Sequence, residues 1–164
     1  VKIKKKIRLV STTLKDLLKV NNIDVLKIDV QGTEYDVLKG MGKHRPFLIK
    51  VESSTSELYK NQKTIFEIGT LLRSKGYILH TSSFFSKPTP VNLKWKNVVN
   101  LHGDFIFVPN HVGEGKKIIM KNLEKYLISY VIYGIQDFAL YQLTQLKINK
   151  KKIIDLIEFI KKEG

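Results

Sequence analysis

Up to residue 109, short apolar runs alternate with stretches of helical spacing; beyond it, only the helical spacing remains. Ile3, Ile7 and Leu9 share one parity and Lys2, Lys4, Lys6 and Arg8 the other, which predicts a strand over 1–12 with one dry and one wet face. Ser11 or Thr12 then caps a helix running to about Val20, with Leu14, Leu17 and Leu18 inward and Asn21-Asn22 as its end. A Val/Leu/Ile run over 25–30 reads as a strand, and Gly32 supplies the tight turn after it. Thr33 is the expected N-cap of a helix that buries Val37, Leu38 and Met41 and stops at Gly42 and Pro46. Phe47 to Glu52 is the next strand. A helix over 56–74 follows, with Ile65, Ile68, Leu71 and Leu72 as its inner face and Gly76 as its stop.

Tyr77 to Thr81 and Asp104 to Val108 complete the strands, and Pro109 closes the series. Between them, 82–103 reads as an irregular run with Pro88, Pro90, Phe84, Phe85 and Trp95, long enough for a lid whose aromatics shape a pocket or fasten the loop. The order is that of an α/β domain over 1–109 with a helical extension over 110–164. In the extension, Ile119, Leu123, Tyr126, Leu127 and Tyr130 recur at helical spacing. Asn149 caps a last helix whose Ile153, Leu156, Ile157 and Ile160 form one stripe beside Lys150, Lys151, Lys152, Lys161 and Lys162.

The candidate chemistry sits at strand ends. A helix between two consecutive strands requires parallel pairing and a right-handed crossover, so Asp29 and Glu52 emerge at the same rim. In open α/β sheets this carboxyl-end rim is where ligands bind. Two carboxylates there can position an acceptor hydroxyl, act as a general base or share a divalent cation; equally, they can be strand-end acids facing water. Glu34 and Asp36 in the first turn of the following helix disfavour a phosphate cradle and tolerate a cation or a hydroxyl-bearing acceptor.

The run Leu26-Lys27-Ile28-Asp29-Val30-Gln31-Gly32-Thr33-Glu34 followed by Val37-Leu38-Lys39-Gly40 resembles the signature of FkbM-type S-adenosylmethionine-dependent methyltransferases. The likeness extends from Thr13-Leu14-Lys15-Asp16-Leu17 through Arg45-Pro46, Glu52 and Lys75-Gly76-Tyr77 to Asp104-Phe105-Ile106-Phe107-Val108-Pro109. It departs at Gln31, where the family usually carries an acid before the motif glycine. The resemblance implies an open, mostly parallel, Rossmann-like sheet with an antiparallel last strand, and O-methylation of a sugar, polyketide or similar metabolite. Joined to the strand-end reading, it makes Asp29, the acceptor- or cofactor-facing acid, and Glu52, the second rim acid, the candidate catalytic residues, with Asp29, Gln31, Gly32 and Glu34 as the candidate cofactor-binding turn.

Two features point to a longer parent. The first residue is Val1, with no methionine before Met41. The glycine-rich loop that in this family holds S-adenosylmethionine, and the acid for its ribose, do not precede Asp24; Gly113-Glu114-Gly115 is only a partial imitation. The expectation is a C-terminal portion of the enzyme, with the main cofactor-binding half outside the chain.

Charge and composition change the picture little. There are 29 basic and 15 acidic residues, a net +14, but arginine occurs only at Arg8, Arg45 and Arg73. That scarcity disfavours nucleic acid as a partner, since the guanidinium fork suits bidentate phosphate and base contacts. A small-molecule or glycan acceptor is the expected partner; a homodimer, an inert binding module and contact of the basic last helix with an anionic membrane stay open. There is no cysteine, and His44, His80, His102 and His111 show no metal spacing. With no long apolar stretch and no secretory signal in view, the expected location is the cytoplasm.

Overall fold

The computed structural model describes residues 10–18, 23–84 and 102–163. The expected strand over 1–12 falls mostly outside them, as do Phe85, Pro88, Pro90 and Trp95 of the expected lid; residues 10–12 are not strand. In chain order the elements are α1 (Leu14–Leu17), β1 (Val25–Ile28), α2 (Glu34–Lys39), β2 (Leu48–Ser54), α3 (Ile65–Ser74), β3 (Tyr77–Phe84) and β4 (His102–Pro109). Four helices follow: α4 (Gly113–Ile119), α5 (Leu123–Ile132), α6 (Gln136–Gln145) and α7 (Lys150–Glu163).

The strands form one open sheet in the order β1-β2-β4-β3. β1 and β2 pair in parallel, while β4 runs antiparallel to both β2 and β3, so three of the four strands point the same way. This is the expected α/β architecture, with its last strand reversed. α2 supplies the crossover between β1 and β2, burying Leu38 completely, with Met41 buried just beyond its end and Val37 half-buried.

Three element boundaries differ from the sequence expectation, each for a local reason. α1 is one turn, capped by Thr13 rather than Ser11 or Thr12: its Oγ1 accepts from the Asp16 amide at 3.2 Å and donates to the Asp16 carboxylate at 2.6 Å. The chain turns extended at Leu18, and Leu17, expected inward, is 63% exposed. α3 begins nine residues later than the pattern suggests. Thr64 and Glu67 form a capping box, in which the Thr64 amide and hydroxyl both donate to the Glu67 carboxylate, at 2.7 and 3.0 Å.

Residues 55–63 are instead a loop wound around buried Gln62, whose Oε1 accepts from the amides of Leu58 and Tyr59 at 2.9 and 3.2 Å. β3 runs on to Phe84, past a register shift between Leu79 and Thr81. The inner face of α3 is as expected: Ile65, Ile68 and Leu72 are buried and Leu71 packs against them.

The helical extension shares the core of the sheet. Tyr126, Tyr130, Leu127, Ala139, Leu143 and Leu156 join Phe47, Ile49, Val51, Phe105 and Phe107 in one buried cluster. The expected stripe from Ile119 to Tyr130 is all buried, divided between α4 and α5 by a turn at Met120–Asn122. A polar bolt ties it to β4. Fully buried Gln142 donates to the Pro109 carbonyl at 2.7 Å and accepts from the Tyr126 and Tyr130 hydroxyls at 2.7 and 3.2 Å. That satisfies three groups whose burial would otherwise be costly. Asn149 Oδ1 accepts from the Lys151 amide at 2.8 Å, as expected of a cap, and α7 turns Leu156, with Ile153, Ile157 and Ile160, to the core.

Candidate functional site

The parallel register runs Val25 to Leu48, Leu26 to Ile49, Lys27 to Lys50 and Ile28 to Val51. One further step puts Asp29 beside Glu52, as the βαβ unit requires. Because β4 is antiparallel, its first residues return to this same end of the sheet, and Asp104 lies directly opposite Glu52. Three carboxylates therefore stand in a row across three neighbouring strands. Glu52 lies in the middle, half-buried and within hydrogen-bond reach of Asp29.

The electrostatics follow from this row. Burial raises the Glu52 pKa first, then the charges of Asp29 and Asp104 and the hydrogen bond to Asp29; the charge of His102 acts in the opposite direction. Lys50 neutralises the outer acid, its Nζ 2.7 Å from Asp104 Oδ2, and that bond holds its own pKa above the ordinary lysine value. The row is asymmetric: Asp104 is paired with a cation, whereas Glu52 has the Asp29 carboxylate beside it.

The turn after Asp29 is built from unusual backbone. Gln31 has φ 56° and Gly32 φ 110°, two successive residues in the region that L side chains rarely adopt. Two side chains stabilise it. Glu34, 3% exposed, accepts from the Gly32 amide with both carboxylate oxygens, at 2.9 and 3.1 Å. Gln31 Nε2 donates to Asp29 Oδ1 at 2.9 Å, while its Oε1 accepts from the Tyr59 hydroxyl at 2.9 Å. The Tyr59 ring lies over Gly32 so closely that a β-carbon there would sit 2.8 Å from Tyr59 Cδ2. Thr33 occupies the N-cap position of α2, but its side chain makes no capping bond; the Glu34 carboxylate instead binds the Gly32 amide, two residues back in the turn that leads into the helix.

The site residues read from sequence thus stand together in one turn and one adjacent strand. Asp29 and Gln31 are exposed, Glu52 half-buried, and Glu34 closed to solvent. Sequence reasoning alone does not single out Asp104, Lys50, His102 or Tyr59 as site residues. Asp104 and His102 follow once β4 is known to be reversed, since its amino end then meets the carboxyl ends of β1 and β2. Tyr59 has no such signal, lying in a stretch whose spacing suggests helix. A groove of about 690 Å³ runs between α3 and the β3–β4 face, lined by Phe66, Gly69, Leu79, Phe84, Phe105 and Phe107; none of Asp29, Gln31 or Glu52 lines it. Among the described residues, no group of three or more His, Cys, Asp or Glu side chains is arranged to hold a metal ion, and no helix is long and apolar enough to cross a membrane.

Residues 2–79 match the family model described as the methyltransferase FkbM domain. The matched segment contains Asp29, Gln31, Gly32, Glu34, Glu52 and Tyr59, and ends before β4 and its Asp104. No curated protein and no solved structure shows significant similarity to the chain.

Proposed function

Taking as premise the match of residues 2–79 to the methyltransferase FkbM domain, we propose that this chain carries the acceptor-side rim of an S-adenosylmethionine-dependent O-methyltransferase. Its acceptor is a hydroxyl of a sugar, polyketide or similar small molecule or glycan. The observation that carries the reading is the Asp29–Glu52 pair, set side by side at the carboxyl ends of two parallel strands.

The residues present suit the cofactor's chemistry. When bound, S-adenosylmethionine supplies a methyl group on a positively charged sulfur, and a carboxylate rim favours a cation. The Gly32 amide is already bound by Glu34, so the turn offers that donor to no phosphate. Asp29 and Gln31 are the exposed groups that would face the cofactor, with Gly32 and Glu34 shaping the turn beneath them.

On the acceptor side, Asp29 receives a hydrogen bond from the reacting hydroxyl and aims it, and Glu52 stands ready to share the released proton. Methyl transfer is an in-line displacement, in which holding the two reactants in register supplies most of the acceleration. A base within hydrogen-bond reach contributes roughly a further hundredfold or more.

The test is a pair of NMR titrations of the ¹⁵N-labelled protein, which read binding as weak as millimolar. S-adenosylmethionine should shift the Gln31 side-chain amide and the Gly32 amide. S-adenosylhomocysteine, lacking the sulfonium charge, should shift them less. Equal response to both, or shifts confined to residues away from 29–34 and 52, would overturn the assignment of this rim to the cofactor.

A further inference from the structure

The contact between Tyr59, Gln31 and Asp29 has a direction that chemistry fixes. A carboxylate only accepts hydrogen bonds, so the Gln31 amide must present its NH₂ to Asp29 Oδ1. Its carbonyl is then turned to Tyr59, whose hydroxyl must donate. An acid at position 31 could not complete this chain, because a carboxylate has no proton for Asp29 and would place a third like charge beside Glu52. The departure from the usual motif acid is therefore what permits the connection.

The relay is also braced at its far end. The Tyr59 amide donates to the buried Gln62 carbonyl at 3.2 Å, and the Tyr59 ring closes on Gly32. The Tyr59 side chain, 47% exposed, stands at the surface beside the rim with its proton committed inward. Its remaining lone pairs are free to accept from a hydroxyl.

We infer that Tyr59 is a positioning residue for the carboxylate rim: acting through Gln31, it holds Asp29 by Oδ1 and so fixes how that carboxylate is presented beside Glu52 and to an acceptor hydroxyl. The charged and titratable groups that bear on the pair are Lys50 on β2 and Asp104 and His102 on β4, with Tyr133 acting on Lys50. Tyr59 reaches the pair from the opposite side, by way of Gln31.

The inference rests on the rim reading for its use in methyl transfer, but its test needs neither cofactor nor acceptor. Tyr59→Phe keeps the ring over Gly32 and every charge, and removes one hydroxyl. The readouts are hydrogen exchange of the Gln31 side-chain amide and the ¹³C chemical shift of the Asp29 carboxyl at neutral pH. In the unsubstituted protein the Gln31 amide protons should be slowed by their bond to Asp29 Oδ1. In Tyr59→Phe that protection should fall at least twofold, and the Asp29 carboxyl shift should move.

Gln31→Leu, which removes both bonds without changing charge, should move the Asp29 carboxyl shift in the same direction and further. Gln31 exchange and an Asp29 shift in Tyr59→Phe that superimpose on those of the unsubstituted protein would overturn the inference, as would a Gln31→Leu protein whose Asp29 shift is unchanged. An intact relay in an enzyme complete with its glycine-rich cofactor loop but inert toward S-adenosylmethionine would instead refute the methyltransferase reading and leave this inference standing.

Discussion

Gly32→Ala is the most informative single change, because two separable penalties meet at one atom. The first is conformational: Gly32 has φ 110°, and an alanine held at positive φ costs about 1–2 kcal/mol. The second is steric. The new β-carbon would lie 2.8 Å from Tyr59 Cδ2, 3.1 Å from Cγ and 3.3 Å from Cβ. Since one of these atoms is the β-carbon of Tyr59, rotating the ring cannot clear the contact, and the residue must move.

Moving Tyr59 breaks its bond to Gln31, worth about 1 kcal/mol, so the total comes to about 2–3 kcal/mol. Gly134 supplies the internal control. It has φ 68°, and a β-carbon added there would meet nothing within 4 Å, so Gly134→Ala carries the backbone penalty alone. Urea unfolding should place Gly32→Ala about 1 kcal/mol or more below Gly134→Ala, and Tyr59→Ala should relieve that excess in the double variant. Equal costs at the two glycines, or strict additivity of Gly32→Ala with Tyr59→Ala, would refute the account of the turn.

The remaining expectations concern the supports of the site. Glu34→Ala strands the Gly32 amide under a buried gap and should cost about 1.5–3 kcal/mol by urea unfolding, whereas Glu34→Gln, which keeps an acceptor, should cost less. Gln142→Leu leaves two tyrosine hydroxyls and the Pro109 carbonyl buried without partners and should cost about 3 kcal/mol or more; a loss under about 1 kcal/mol would mean water replaces the bolt. Glu52 has a raised folded-state pKa, so its ionisation disfavours the fold, fully above that pKa and not at all below its ordinary value of 4.5. Glu52→Gln should therefore raise Tm at neutral pH, with the gain disappearing as pH falls below about 4.5. Glu67 behaves oppositely. Its bond to Lys63 and those from Thr64 hold it at about 2, so the stability it adds is present above 4.5 and lost as pH falls toward 2. The destabilisation caused by Glu67→Ala, followed by thermal unfolding, should fade over that interval.

Much of this architecture is legible in the sequence because period and punctuation agree. The βαβ unit announces itself through two short apolar runs around a helical stripe, and that alone puts Asp29 and Glu52 on one rim. The stripes Ile119 to Tyr130 and Ile153 to Ile160 likewise point to buried faces, and both are inward. Pattern fails where tertiary contacts outweigh it. Residues 56–64 carry no strong helix breaker, yet Gln62 draws two amides into a loop and Asn61 sits at φ 64°, so α3 waits for the Thr64 cap.

Leu17 looks like a core residue from its spacing to Leu14, but a one-turn helix has no inner face long enough to use it. Asp104 is hidden for a different reason. Its place opposite Glu52 depends on strand direction, which an apolar pattern does not encode and only the family resemblance implies.

The central claim is that Asp29 is the rim acid that handles the acceptor hydroxyl. Its most direct test is transfer of label from methyl-labelled S-adenosylmethionine to an extract of sugars and other hydroxyl-bearing metabolites, by an enzyme complete with its glycine-rich cofactor loop, with the unsubstituted protein and Asp29→Asn compared at equal folded concentration. Asparagine keeps the shape and can still accept from Gln31 Nε2, so the fold should be unchanged by circular dichroism. The account predicts that transfer falls about a hundredfold or more; an Asp29→Asn protein that methylates at the unsubstituted rate would contradict it.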